Sequence, residues 1–423
     1  LADYLVATGD AGLLDEVEPY HLDDASAPAA GEPMPGAAGA GEALGQVHRG
    51  AMVEPIERHV ERALALIRRR TVGSTALAAY GHGDWNDALQ PANPTMREHL
   101  CSAWTVTLHV RMLQAWAAAW QRLDRPERAQ AMLAWRDAVM ADFQRLLMPQ
   151  GVVVGYASFE QPGAPRPLLH PGDEATGIRY SALPMVHAIL DEVFTPAQAE
   201  AHVALIEQHL SGPDGLRLFD RPLRYAGGPM RLFQRGESAS YFGREIGLMY
   251  MHAHLRWAEA LAHLGRAEAF VQALQQAHAI GLPQRVPQAS PRQANCYYSS
   301  SDAAFDDREQ AWADYARIAR GEVALEGGWR IYSSGPGIAV RLVVQKLLGL
   351  TQRVHELVVD PVMPASFAGC RARLLLYGRE CDVHYRVGAA GHGPVRIALD
   401  GVDLPWRRLP NAYRTGAAAI DLA

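Results

Sequence analysis

The sequence predicts a mainly α fold: an (α/α)6 toroid of helical hairpins, incomplete in this chain, with a small C-terminal β domain. Three observations predict it. Segments that are apolar nearly all round alternate with segments apolar on one face, as an inner and an outer ring of helices require. After Leu350 the pattern changes to short β-rich runs between glycines and charged turns. The 423 residues, 49% hydrophobic and 20% charged, suit a globular protein with one large and one small domain, placed here at 1–350 and 351–423.

The elements follow in order. "LADYLVATGDAGLLDEVEPY" reads as the inside of a helix, a turn at Gly9-Asp10 and a second short helix. It has no initiating Met, no signal peptide and nothing to cap Leu1, so the chain reads as a piece of something longer, or as one half of a split protein. Residues 22–50, rich in Ala, Gly and Pro, read as a loop-rich insertion with little core of its own. From Met52 on, Val53, Ile56, Val60, Ala63, Leu64 and Ile67 recur at helical spacing while charges fill the other faces. His99 to Trp120 is apolar nearly all round, the pattern of a helix buried on several sides, and 127–148 is amphipathic again. Further helices are predicted at about 176–194, 197–211, 243–265, 267–281, 308–320 and 338–350. Roughly nine or ten helices fall short of the twelve of a closed six-hairpin barrel, and the shortfall sits at the start. "RARLLLYG", "CDVHYRVG" and "VRIALDGVDL" supply the β runs.

Composition excludes some functions. Forty basic against 46 acidic residues give a net charge of −6, with no basic stripe to neutralise phosphate backbones, so nucleic acid is not expected as a partner. Cys101, Cys296, Cys370 and Cys381 form no CxxC and read as reduced thiols of a cytoplasmic protein. No apolar run reaches the ~18 residues of a membrane span. There is no Walker loop, no GxGxxG after a strand and no GxSxG.

Residues 81–91, "GHGDWNDALQP", set two aspartates around a tryptophan between glycines and a proline. Carbohydrate sites stack a sugar face on an aromatic ring beside a carboxylic acid, whose raised pKa lets it protonate the leaving group. Asp87 then is the donor, and Asp84 holds the loop through backbone amides. The structural alternative is an Asx-turn and helix cap with Trp85 as buried filler. His82 with Asp84 and Asp87 offers metal ligands, but without a second His cluster or HExxH spacing no metal is expected.

"GDWND" resembles the signature loop of the inverting phosphorylases of glycoside hydrolase family 94. "YLVATGDAGLLDEVEPY" is similar to the family's segment before that loop, and residues 247–265, "GLMYMHAHLRWAEALAHLG", resemble its helix with a Tyr-x-His. "GGWRIYSSGPG", 327–337, resembles its glycine-rich phosphate loop, and "VDPVMP", 359–364, the strand opening its C-terminal domain. The resemblance implies an N-terminal β-sandwich, a helical linker, an (α/α)6 barrel and a small C-terminal β domain. The sandwich, linker and first hairpins have no counterpart here, so a missing N-terminal part, or a separate chain, is an expected partner.

By position the resemblance implies Asp87 as general acid and Trp85 lining the subsite of the transferred sugar. It implies His252, Ser333 and Ser334 at the phosphate. The chemistry suits these types: phosphate itself attacks the anomeric carbon, so no protein base activates water. A cationic His with hydroxyl or backbone donors suits a dianion. Taken alone, His252 also reads as a satisfied core histidine, and "SSGPG" as a turn. No cofactor is implied beyond inorganic phosphate as co-substrate, and a homodimer is compatible.

Departures from the family pattern are Ala88-Leu89-Gln90-Pro91 after the loop, Ser333 for Thr, Ser334 for Gly, and "ANCYYSSSDAAFDDR" at 294–308. They look closer to the 1,2-β-oligoglucan phosphorylase branch, which shares its barrel with the C-terminal part of cyclic β-1,2-glucan synthases. A β-1,2-linked gluco-oligosaccharide is therefore the expected substrate. The competing expectations are an inverting hydrolase, with Glu237 or Glu245 activating water opposite Asp87, and a non-catalytic glucan-binding protein.

Overall fold

The computed structural model describes residues 1–22, 48–81, 89–161, 163–224, 230–238, 249–278, 280–290, 303–325, 334–388 and 391–422. The first helix, α1 (Ala2–Thr8), ends where Gly9 takes a left-handed φ of 71°, and a 3-10 turn follows at Ala11–Asp15. That much agrees with the helix–turn–helix expectation. The next segment does not. Strand β1 (Val17–Leu22) pairs antiparallel with β2 (His48–Pro55), with a bulge between Pro19 and His21. Strand therefore occupies 48–50 and the start of the helix expected from Met52; α2 begins only at Ile56 and runs to Arg69. Pro55 is the physical reason, because it disfavours helical backbone at Glu54 and fits only at a helix entrance.

Short α3 (Pro94–His99) is capped by Asn93, whose side chain accepts the Met96 N–H. Leu100–Ser102 is not the start of the long helix but a strand, β3, in a three-stranded antiparallel sheet with β4 (Tyr156–Ser158) and β5 (Arg166–Leu168). Ser102 then caps α4 (Ala103–Arg122), which is buried on several sides. Its hairpin partner α5 (Pro126–Leu146) buries Ala129, Met132, Trp135, Val139 and Phe143, a single stripe at helical spacing. The second hairpin is α6 (Ala182–Leu190), buried from Ala182 through Ile189, with α7 (Pro196–His209). Thr195 and Gln198 form a reciprocal capping box at the start of α7.

A short ladder of β6 (Ser211–Gly212) and β7 (Gly215–Leu216) precedes α8 (Gln234–Ser238). The third hairpin joins α9 (Met251–His263) to α10 (Ala267–Gln276). Three short helices follow, α11 (Leu282–Arg285), α12 (Arg308–Asp314) and α13 (Ala316–Ala319), around a second small core centred on Tyr315 and Ile318. Last comes α14 (Ser334–Leu342), which runs into a π turn at Val343–Leu347.

The helices pack in a regular order. α4 touches both α1 and α6, α6 touches α9, and α9 touches α14, while α5, α7 and α10 each pack on the helix before them. The main core threads this series from Leu5 to Leu342. No helix among the described residues is long and apolar enough to cross a membrane.

From Leu350 on, the described elements are strands joined by turns and one 3-10 segment. β8 (Leu350–Gln352), β9 (Glu356–Val359), β14 (Arg407–Arg408) and β15 (Ala418–Asp421) form a sheet in the order β14-β15-β9-β8. β10 (Arg371–Leu376) with β11 (Arg379–His384), and β12 (Ala398–Leu399) with β13 (Val402–Asp403), make two hairpins. The sheet region is tied to the helices by buried polar contacts. Arg414 pairs both its terminal nitrogens with Asp360 at 2.8 Å and donates to the carbonyls of Ala262 and His263, at the C-terminal end of α9. Tyr413 donates its hydroxyl to Phe194 C=O at 2.9 Å. Cys101, Cys370 and Cys381 are free thiols, and burial pushes that of Cys101 up.

Candidate active site

Asp84, Trp85 and Asp87 lie outside the described residues; the stems of their loop are described. On the entering side, Tyr80 donates its N–H to Leu100 C=O at 2.7 Å and Gly81 to Arg97 C=O at 2.9 Å. On the leaving side, Leu89 is fully buried and Pro91 forms an antiparallel bridge with Phe233. Gln234 N–H bonds Gln90 C=O and Ala92 N–H bonds Leu232 C=O, both at 2.9 Å. The two stems meet through aromatic rings: Tyr156 lies 6.2 Å from Tyr80 and 5.5 Å from Phe233, centroid to centroid. Both ends of the 82–88 segment are thus fixed to the same buried aromatic group.

Glu237 belongs to this support. Its buried carboxylate accepts the backbone N–H groups of Arg231, of Leu232 at 3.0 Å and of Phe233 at 3.2 Å. A carboxylate held by three backbone amides shapes the 231–233 turn, which argues against Glu237 as a water-activating base. Glu245 lies outside the described residues.

The second group centres on α9. His252 sits half-buried in the first turn, its ring stacked on Tyr250 at 5.1 Å. Burial lowers its pKa from the ordinary imidazole range, and the charge of Arg256, one turn on, lowers it further. Both effects favour the neutral imidazole, so a cationic ring at this position needs an anion beside it. Its neighbour His254 differs. Fully buried, it accepts the Leu216 N–H at 3.1 Å on Nδ1, and its Nε2 bonds Ala273 C=O at 2.8 Å. Of the two histidines of "MHAH", His254 is the satisfied core residue.

Ser333 lies outside the described residues; Ser334 opens α14, and its backbone alone is described. The segment read as a turn is thus helical from Ser334, with Pro336 in the first turn, where its missing N–H costs nothing. Gly335 packs directly on Met251. A Cβ at Gly335 would lie 2.6 Å from Met251 Cγ, so any larger residue there would push the Met251 side chain aside. The first turns of α9 and α14, far apart in sequence, therefore touch. Both present N-terminal amides and positive dipole ends, which together favour an anion.

Sequence reasoning missed the ion-pair group behind these two turns. Glu259, 9% exposed, receives Arg341 through two bonds of 2.9 and 2.6 Å and Arg256 through one of 2.6 Å. Burial acts to raise its pKa, but the hydrogen bonds and charge of Arg341, with Arg256 and Lys346 behind, hold it at about 2. The Arg256–Glu259 spacing is a legible helix pair; the partner on α14 is not. Among the described residues no group of three or more His, Cys, Asp or Glu side chains is placed to hold a metal.

The chain is 36% identical over 421 residues, 99% of its length, to a 1,2-β-oligoglucan phosphorylase from Listeria innocua. It spans 36% of that relative's length. A solved sialidase structure superposes with a TM-score of 0.49 at 11% identity, covering 86% of this chain and 30% of that one. No protein-family model matches the chain.

Proposed function

We propose that the chain carries the acid loop and the phosphate-binding side of an inverting β-glucan phosphorylase of the glycoside hydrolase family 94 type. The reaction is reversible phosphorolysis of a β-linked gluco-oligosaccharide, with β-1,2 linkage the first choice, to α-glucose 1-phosphate. Asp87 protonates the glycosidic oxygen while a phosphate oxygen attacks the anomeric carbon from the opposite face, which inverts β to α. Trp85 stacks on the transferred glucose, and Asp84 holds the loop. His252, Ser333 and Ser334 bind the phosphate; the arriving dianion raises the pKa of His252 and draws a proton onto its ring.

The observation that carries this function is the contact of Gly335 with Met251, which joins the first turn of α14 to that of α9 beside His252. Two helix N-termini, a histidine and a glycine-bearing turn form a set of donors suited to a tetrahedral dianion. Similarity to a 1,2-β-oligoglucan phosphorylase along 99% of the chain supports the same assignment.

The proposal extends to architecture. The neighbour series α1–α4–α6–α9–α14 becomes part of the inner ring of an (α/α)6 toroid, with α5, α7 and α10 outside it. Residues 351–423 form a small appended β domain. Inorganic phosphate is the co-substrate, with no further cofactor, and the protein works in the cytoplasm.

The test incubates the intact protein with β-1,2-gluco-oligosaccharides, with and without inorganic phosphate, and follows glucose 1-phosphate. Product that requires phosphate, and that Asp87→Asn abolishes at unchanged melting temperature, is the expected result. Free glucose formed without phosphate would replace the proposal with hydrolysis. Sugar binding without turnover across β-1,2, β-1,3 and β-1,4 glucosides would leave a glucan-binding protein.

A further inference from the structure

α9 and α14 run side by side in the same direction. Met251 meets Gly335 at their starts, and Glu259 meets Arg341 further along. Parallel neighbours set like dipole ends together, which disfavours the arrangement until something holds it or an anion fills the junction. The junction needs a cross-link, and Glu259–Arg341 is placed to be one. The guanidinium grips the carboxylate with two parallel bonds, the geometry that fixes orientation as well as distance. Glu259 is 9% exposed, and Arg256 takes up one of its oxygens as well, so the carboxylate is fully engaged. At 1.5 Å of rise per residue, the pair lies roughly 9–12 Å behind the touching first turns, too far to contact a phosphate bound there.

We propose that the Glu259–Arg341 ion pair is the positioning device of the phosphate subsite: it docks α14 on α9 and thereby sets where Ser334 and Gly335 meet His252. The inference rests on the phosphorylase function proposed above. Its consequence is selective. Loosening α14 moves the donors for phosphate and leaves the acid loop, held separately by the Tyr80–Tyr156–Phe233 group, where it is.

The experiment is initial-rate kinetics on the intact protein, with phosphate and oligoglucan varied separately, for wild type, Arg341→Met and Arg341→Lys. Arg341→Met is expected to raise KM for phosphate tenfold to about a hundredfold, the range that a displacement near 1 Å produces. KM for the glucan should stay within about twofold. Arg341→Lys, which keeps the charge and loses the fork, is expected to fall between Met and wild type. A folded Arg341→Met whose phosphate KM is unchanged, or whose two KM values rise together, overturns the inference. If Arg341→Met melts below the assay temperature, Arg341→Lys decides: a raised phosphate KM supports the inference and a wild-type one overturns it. Failure of the underlying function is seen separately, as wild-type protein that turns over without regard to phosphate.

Discussion

His109 should make the fold acid-sensitive. It lies on α4 at 6% exposure, edge-on to Trp135 of α5 at 5.0 Å, and both its ring nitrogens are buried with no hydrogen-bond partner among the described residues. Burial lowers its pKa to about 4 from the ordinary 6.5. The sign follows from proton counting: below pH 6.5 the unfolded chain takes up a proton at this residue that the folded chain refuses, so stability falls as pH falls. At about 1.4 kcal/mol per pKa unit, the full loss is roughly 3 kcal/mol, reached below the folded pKa; between pH 7.5 and 5.0 it is about 2 kcal/mol. His109→Phe keeps a flat ring against Trp135 and removes the titration. Urea unfolding of wild type and His109→Phe at both pH values isolates the residue. The variant should lose about 2 kcal/mol less than wild type on acidification, and should equal or exceed wild-type stability at pH 7.5. Identical pH dependence in the two proteins would refute the reasoning.

Three other features test the fold. Gly349 has φ 69°, and a Cβ there would lie 2.1 Å from the backbone nitrogen of Pro361, so Gly349→Ala should cost more than the ~1–2 kcal/mol of left-handed strain alone, read by urea unfolding. Arg414→Met strands Asp360 and the carbonyls at the end of α9, and should cost about 3–5 kcal/mol; adding Asp360→Leu should recover part of it in the same assay. Thr195→Ala breaks the capping box of α7 and should cost about 1 kcal/mol in thermal unfolding, whereas Thr195→Ser should cost little.

Helical hairpins were the most legible part of the fold, because burial on all sides and burial on one side leave different patterns, as α4 and α5 show. Gly9 marked its turn through the left-handed backbone it permits. Strands hidden at the edges of helical runs were not legible. Leu100–Ser102 is apolar whether it pairs with β4 or continues a helix, and periodicity over three residues cannot separate the two. The start of α14 was masked by Gly335-Pro336-Gly337, which resembles a turn although proline is welcome in a first helical turn. The sequence offers the candidate site as an ordered set of motifs, of which Asp84, Trp85, Asp87 and Ser333 lie outside the described residues. What holds it was not legible: Glu259 and Arg341 are 82 residues apart, and nothing local in either segment names the other. The lowered pKa of His252 was likewise hidden, since it depends on burial and on Arg256 rather than on residue type.

The β1–β2 pairing opens a route for protein engineering. Leu22 and His48 are partners across the ladder, so the intervening chain leaves and returns within one strand spacing, about 5 Å. The free energy of closing such a connection grows only with the logarithm of its length, about 0.6 kcal/mol per doubling. A reporter domain whose own termini lie close together can therefore be spliced between these two residues at little thermodynamic penalty. The hairpin would become a socket for a fluorescent or affinity module, far along the chain from α9 and α14.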